Sequence, residues 1–275
     1  LTVVEIQILE KTDDFMRFIV RGVNVPFVNA LRRIILTEVP TMAIDEIVIL
    51  ENSSILNDEI LAHRMGFIPL KTDLDSYNLP EECKCESELG CNLCRANLTL
   101  EAEATDKTTT VYSGELKPEN PDIAPVSDKI PIVKLAPEQR VNLEAYARLG
   151  KGKKHAKWQP VSMCTYMYLP EVKIDSERCD ACGKCVKVCP EEIFIETAEG
   201  IKTQKVIECT LCMDCADACP QDPPAVEISW DKKAFIFKIE STGALPVERI
   251  VIEAVKILDK KIKDFSNQLK KGKKK

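Results

Sequence analysis

"NALRRIILTEVPTMAIDEIVILENSSILNDEILAHRMGFIPL", from Asn29 to Leu70, changes its hydrophobic period twice. Its first part repeats apolar residues at helical spacing and stops before Pro40, which predicts a helix. "AIDEIVILEN" then has the pattern of a strand, and a second, short helix is predicted to begin near Asp58 and to end at Gly66. Together with the elements on either side of it, we interpret this stretch as part of an α+β protein.

Strand patterns surround this stretch on both sides. "VVEIQILE" and "FMRFIV" precede it and are joined by a polar turn at 11–14, which predicts a hairpin. From Pro246 the apolar residues return at helical spacing, which predicts a long amphipathic helix whose stripe must be covered by this chain or by a partner. The stripe residues are Ile250, Ala254, Ile257, Leu258, Ile262, Phe265 and Leu269.

Composition narrows the class of protein. The chain has 275 residues, a formal net charge of −6 and a hydrophobic fraction of 45%. No apolar run approaches the ~20 residues that span a bilayer, and the first residues lack the pattern of a signal peptide, so we expect a cytoplasmic protein without a membrane contact. The acidic balance argues against a free-standing nucleic-acid binder, because a phosphate backbone demands a basic surface.

Thirteen cysteines in such a chain favour metal binding over disulfides. Two late groups both read C-x2-C-x2-C-x3-C-P and are separated by "EEIFIETAEGIKTQKVIE", which predicts two short strands with a turn near Gly200. This spacing resembles that of bacterial-type ferredoxins, in which the fourth cysteine of one run ligates the other cluster. The resemblance implies two [4Fe–4S] clusters, one held by Cys179, Cys182, Cys185 and Cys219, the other by Cys209, Cys212, Cys215 and Cys189. The alternative is a pair of zinc ribbons.

An earlier cysteine group has a different spacing. Cys83, Cys85, Cys91 and Cys94 form C-x-C-x5-C-x2-C in a polar loop, which suits a structural tetrahedral Zn²⁺ site. Reduced thiols or redox-formed disulfides in a mobile loop are the competing interpretation. Cys164, which has no cysteine neighbour, is interpreted as a buried strand thiol.

Three stretches carry a further resemblance. They are similar to the α-like assembly subunits of multisubunit RNA polymerases, and most similar to the archaeal D type. The stretches are Asn29–Leu70, the basic loop "GKGKKHAKWQPV" at Gly150–Val161, and "FKIESTGALPVERIVIEAVKILDKKI" at Phe237–Ile262. Eukaryotic counterparts carry a zinc loop where Cys83–Cys94 lies, and many archaeal D subunits carry a ferredoxin-like insertion.

The resemblance implies an architecture and partners. It implies a discontinuous dimerisation domain at 1–40 and 225–275, an inserted mostly-β domain at 41–171 with the cysteine loop 83–94, and a ferredoxin-like module at 172–224. It also implies a DNA-directed RNA polymerase assembly subunit that pairs with subunit L and gathers subunits N and P and the two large catalytic subunits. The clusters would be structural or redox-regulatory.

No catalytic residue is assigned to this chain. It lacks G-x-S-x-G, H-E-x-x-H, a dinucleotide fingerprint and the carboxylate triad of polymerase chemistry, so two-metal catalysis would belong to other chains. The glycines of "GKGKKHAKW" do not have Walker spacing, and we expect a solvated or subunit-facing loop with little or no nucleic-acid contact. The alternative function is a ferredoxin-like electron-transfer subunit of an oxidoreductase, which the two intact cluster motifs favour.

Overall fold

A computed structural model describes residues 3–85, 87 and 90–272 of the chain. The strands are β1 (Glu5–Lys11), β2 (Phe15–Arg21), β3 (Pro40–Asn52), β4 (Ala96–Glu103), β5 (Thr109–Tyr112), β6 (Lys117–Pro118), β7 (Pro131–Leu135), β8 (Arg140–Lys151), β9 (Val161–Ile174), β10 (Phe194–Thr197), β11 (Gly200–Thr203) and β12 (Val226–Ser241). The helices are α1 (Val25–Thr37), α2 (Asp58–Gly66), α3 (Lys184–Val188), α4 (Asp214–Asp217) and α5 (Val247–Gly272). The protein is therefore a mixed α/β protein with several sheets and few helices.

The stretch Asn29–Leu70 folds as its periodicity predicts. Helix α1 ends before Pro40, strand β3 follows at once, and α2 begins at Asp58 and ends at Gly66. The first turn of α2 contains two acidic residues and the last turn contains two basic ones. Acidic residues interact favourably with the positive N-terminal end of the helix dipole, and basic residues with its negative C-terminal end.

The described strands form four sheets. One has four strands in the order β1-β2-β12-β9, and another has four in the order β3-β8-β4-β6. The remaining two are the pairs β5-β7 and β10-β11. In the last pair Thr197 lies opposite Gly200, so the predicted hairpin with a turn near Gly200 is confirmed.

The chain divides into two compact units. The first unit comprises Tyr166–Phe237, Arg17–Val28 and the N-terminal residues to Leu9. The second unit comprises Asn29–Thr165, Glu10–Met16 and the chain from Lys238 onward.

Aromatic rings fill part of the first unit. Phe18 of β2 stacks on Phe237 of β12, with the ring centroids 5.1 Å apart and the planes within 9° of parallel. Tyr166 and Tyr168 of β9 pack on Phe235 at 5.9 and 5.0 Å. A smaller cluster in the same unit combines apolar side chains with the thiols of both late cysteine runs.

The core of the second unit lies against one face of β8. Its side chains alternate, and the buried ones are Val141, Leu143, Ala145, Ala147 and Leu149. Leu61 and Met65 of α2 are fully buried in the same core. Strand β8 pairs with β3 on one side and β4 on the other, both antiparallel, so it is the central strand on which this unit is built.

No helix within the described ranges is both long and apolar enough to cross a membrane.

Candidate metal centres

The earlier cysteine group lies between a 3-10 turn at Pro80–Glu82 and strand β4. Three residues of its loop, 86, 88 and 89, lie outside the described residues. All four sulfur atoms, of Cys83, Cys85, Cys91 and Cys94, nevertheless lie within 4.8 Å of one another. The group can therefore hold a metal ion.

The sulfur separations have the size that one tetrahedral ion requires. Four sulfurs at ~2.3 Å from a zinc ion are about 3.8 Å from each other. The distances between sulfurs are 3.7 Å for Cys83 and Cys91, 3.9 Å for Cys85 and Cys94, and 3.9 Å for Cys91 and Cys94. All four thiols are free in the structure. The loop therefore holds the sulfur atoms at the separations that a tetrahedral zinc ion needs, without a disulfide bond.

The thiols of this loop differ in acidity. Burial raises the pKa of Cys94 to about 12. The pKa of Cys85 falls to about 7, first because the backbone N–H of Ser87 donates to its sulfur and then because Cys83 donates to it. A cation at the centre would favour the thiolate of Cys94, which burial alone keeps protonated.

The eight later cysteines line two separate cavities in the first unit. One is lined by Cys179, Cys182, Cys185 and Cys219. The other is lined by Cys189, Cys209, Cys212 and Cys215. Each cavity thus takes three cysteines from one run and the fourth from the other run.

The two runs share an unusual backbone around their second cysteines. Ala181 and Gly183 flank Cys182 with φ of 57° and 69°, and Leu211 and Met213 flank Cys212 with φ of 60° and 73°. A left-handed conformation costs a non-glycine residue roughly 1–2 kcal/mol, and such strain clusters at functional sites. Spacing alone does not predict it, because Leu and Met rarely adopt this conformation.

Short helices then carry the third cysteine of each run inward. Cys185 on α3 and Cys215 on α4 are buried, whereas Cys182 and Cys212 are exposed. Burial, reinforced by the neighbouring thiols of the same cavity, raises the pKa of Cys215 to about 11 and that of Cys185 above its ordinary value. Four thiols crowded around an apolar cavity disfavour thiolate charge unless a positively charged group lies among them.

One protein-family model, described as the RNA polymerase Rpb3/Rpb11 dimerisation domain, matches residues 17–262. The chain belongs to this family. Its relatives include a DNA-directed RNA polymerase subunit Rpo3 from Methanosphaera stadtmanae, 39% identical over 95% of this chain and 97% of the relative. Subunits of the same name from Pyrococcus furiosus, 40% identical over 98% of both chains, and Archaeoglobus fulgidus, 37% identical over 95% and 96%, are also similar.

Both ferredoxin-type cysteine runs lie inside the part of the chain that matches the Rpb3/Rpb11 family. The family consists of RNA polymerase subunits that pair with other subunits in a complex. The similarity to the Rpo3 subunits likewise extends over nearly the whole chain. The comparisons therefore give no support to the alternative of an electron-transfer subunit of an oxidoreductase.

Most of helix α5 lies within the part of the chain that matches the family. Its apolar stripe has a buried first part and an exposed last part. Ile250 and Ala254 are fully buried in the second unit. Ile262, Phe265 and Leu269 are 61%, 65% and 56% exposed. The first part of the predicted stripe thus packs within this chain, and the last part is largely left exposed by the residues that the structure describes.

The beginning of α5 is also held by charges in the second unit. Arg249 Nη2 donates to Asp75 Oδ1 at 2.6 Å, and Glu248 forms an ion pair with Lys11. These contacts join the first turn of the helix to Lys11 and Asp75 of the same unit.

Sequence patterns missed one contact beside the second cysteine run. Arg17 of β2 contacts Glu208, which closes the 3-10 turn directly before Cys209. The two residues are 191 positions apart, and no local pattern links them. Cys164, by contrast, is buried in β9 as predicted, and burial raises its pKa to about 12.

Proposed function

We propose that this chain is a non-catalytic assembly subunit of an archaeal DNA-directed RNA polymerase and acts in transcription in the cytoplasm. It pairs with the small α-like subunit L. The pair forms a platform for subunits N and P and for the two large subunits, which catalyse nucleotidyl transfer.

The exposed apolar end of α5 carries this proposal. Ile262, Phe265 and Leu269 form one stripe of large apolar side chains, and such a stripe on a helix requires a covering surface. The family that the chain belongs to is named for dimerisation, and its match ends at residue 262, within this helix. A second helix of similar pattern, contributed by subunit L, supplies the cover.

The same proposal assigns a role to each segment of the chain. Residues 1–40 and 225–275 act in dimerisation, and residues 41–171 form an inserted, mostly-β domain that faces other subunits. Residues 172–224 form a ferredoxin-like module. The short hairpin β10-β11 between two cysteine-bearing helices supports the last assignment.

We assign one [4Fe–4S] cluster to each of the two cysteine-lined cavities. Zinc ribbons are the poorer fit, because zinc needs sulfurs about 3.8 Å apart. Among the described residues, only the loop at Cys83–Cys94 brings three or more ligand atoms within 4.8 Å of one another. A cluster would supply iron–sulfur bonds that hold the loops and a one-electron redox centre. The chain's own part is to bury the third thiol of each run and to exclude water from the cavity wall.

The Cys83–Cys94 group is assigned to a structural Zn²⁺ ion. Its closed set of four sulfurs is typical of structural rather than catalytic zinc, which keeps an open position. The ion would tie the loop to the core through buried Leu79, which precedes the loop by a few residues.

Pairing can be tested by co-expression of the chain with a small α-like subunit, followed by size-exclusion chromatography with light scattering. Phe265→Asp and Ile262→Asp place a charge in the exposed stripe and should abolish the heterodimer. Asn267→Asp adds the same charge to the same helix outside the stripe, at an exposed position, and should leave pairing intact. Equal retention of the heterodimer by all three variants would reject the proposed interface.

A further inference from the structure

A basic turn, defined here as Lys151–Lys154, follows strand β8 in the second unit. Its backbone is closed by a hydrogen bond from Lys154 N to Lys151 O at 2.8 Å. Lys153 N donates to the carbonyl of Thr37, the last residue of α1, at 2.9 Å. One hydrogen bond thus closes the turn on itself, and the other attaches it to helix α1.

Two close approaches fix the turn further. A Cβ atom at Gly150 would overlap the indole of Trp158, and one at Gly152 would overlap the carbonyl oxygen of Leu36. Only glycine fits at both positions. Trp158 is 2% exposed, and its Nε1 donates to the carbonyl of Arg148 at 3.1 Å. The lysines are thus presented by a rigid backbone rather than by a free loop.

The basic turn borders an open cavity. Lys151, Lys153 and Lys154 line it together with Leu79, Pro80 and Glu81, which precede the Cys83–Cys94 loop. Trp158 is also part of the wall, and the ammonium of Lys154 lies 5.3 Å from its ring centroid. The cavity combines apolar walls with a cluster of cations.

The cations of the turn are not neutralised within the part of the chain that the structure describes. Arg148 and Asp45, which also line the cavity, are paired with Glu46 at 3.0 Å and Lys157 at 2.8 Å. The three lysines of the turn form no ion pair with a described residue. In a chain of net charge −6, this leaves a local excess of positive charge around the basic turn.

We propose that this cavity binds an acidic segment of another polypeptide of the polymerase, whose carboxylates lie against the three lysines. The inference rests on the proposed function and specifies a second contact, distinct from the α5 stripe. A nucleic acid fits less well, because phosphate backbones are bound along extended basic surfaces. Here the lysines share one cavity with the apolar Leu79 and Pro80. A short peptide can place carboxylates on the lysines and apolar groups against Leu79 and Pro80.

Lysine footprinting tests the proposal directly. The tagged chain alone, the purified polymerase and the polymerase bound to DNA are each treated briefly with an acetylating reagent, and modified lysines are quantified by mass spectrometry. Acetylation of all three lysines should fall by roughly tenfold in the DNA-free polymerase, since an ammonium held against a carboxylate stays protonated and shielded. A carbodiimide, which joins an amine to a contacting carboxylate, should then link them to Asp or Glu of another chain.

Unchanged acetylation in the polymerase would overturn the proposal, and so would protection that arises only when DNA is added. Carbodiimide links only to acidic residues of this same chain, such as Glu81, would also overturn it. Recovery of no polymerase with the tagged chain would instead refute the proposed function and this inference with it.

A charge-matched pair of variants provides the functional control. Lys151→Glu, Lys153→Glu and Lys154→Glu, combined, should release another subunit from the purified polymerase at a lower salt concentration than the unaltered chain does. Lys107→Glu, Lys129→Glu and Lys134→Glu, combined, change the net charge equally at exposed positions of the same unit. Equal salt resistance of the two triple variants would contradict the proposal.

Discussion

Arg17 and Glu208 form an ion pair with 2.6 Å between Arg17 Nη1 and Glu208 Oε1. Arg17 Nη2 also donates to the carbonyl of Ile207 at 3.1 Å. The Arg17 side chain is only 13% exposed, so this is a largely buried contact. It joins strand β2 to the turn that leads into the second cysteine run, and thus couples that run to the sheet of the first unit.

Replacement of Arg17 by Met should loosen that turn. Loss of a hydrogen-bonded, partly buried cation costs about 1–3 kcal/mol, reduced here because Glu208 is partly solvated. Hydrogen exchange of residues 206–215 should rise, and the urea midpoint should fall. Lys202→Met removes an exposed pair with Glu199 in the same unit and serves as the control. An effect of Arg17→Met no larger than that of the control would contradict the coupling.

Iron analysis of cysteine variants tests the assignment of thiols to cavities. After anaerobic purification, Cys189→Ser should lose roughly four of eight iron atoms, as Cys215→Ser should. The Cys189→Ser, Cys215→Ser double variant should lose no more, because both thiols line one cavity. Cys189→Ser combined with Cys185→Ser should lose nearly all the iron. Equal losses from the two double variants would refute the crossed assignment.

The cluster variants should still pair with the small partner. The cysteine-lined cavities belong to the first unit, whereas the exposed stripe of α5 belongs to the second. Loss of a cluster should therefore raise hydrogen exchange in residues 172–224 far more than in α5, since a metal-held loop depends on its metal. Abolished pairing in a Cys209→Ser, Cys212→Ser variant would show that the module is not independent.

Zinc binding to the Cys83–Cys94 loop should depend steeply on pH. The pKa of Cys85 is about 7, but burial holds that of Cys94 near 12, so zinc must displace protons when it binds. Because more than one proton is released, the apparent affinity should fall by more than roughly tenfold for each unit of decreasing pH. Competition with a chromophoric chelator measures this, with Cys94→Ser as the control that should bind weakly. A pH-independent affinity would argue against thiolate ligands.

Cys164 should be inert in the folded chain. Burial raises its pKa to about 12, so at pH 8 it should resist iodoacetamide until urea unfolds the protein, as peptide mass spectrometry can show. Because the unfolded thiol ionises near pH ~8.5, the free energy of unfolding should decline as pH rises from there toward 12. Cys164→Ala removes this titration, and an unchanged alkaline decline in that variant would assign the decline to other groups.

Local patterns predicted most elements of the fold. The bounds of α2, the turn at Gly200 and the strand that buries Cys164 follow from periodicity and from Gly and Pro, which act within a few residues. The long helix α5 was predicted in the same way, but the point at which its stripe passes from buried to exposed was not. That point depends on which other segments reach the helix.

Contacts between distant segments account for what the sequence could not predict. The left-handed residues Leu211 and Met213 contradict their ordinary preferences, and only the closure of the loop around its cavity explains them. The Arg17–Glu208 pair and the overlap that excludes a side chain at Gly150 likewise depend on partners that the fold brings together.

The most direct test of assembly is an affinity purification of the tagged chain from its host under anaerobic conditions, with the co-purifying chains identified by mass. The purified complex should contain two very large chains and a small L-like subunit, in constant proportion to the tagged chain. Recovery of flavin or nicotinamide enzymes without those large chains would contradict it.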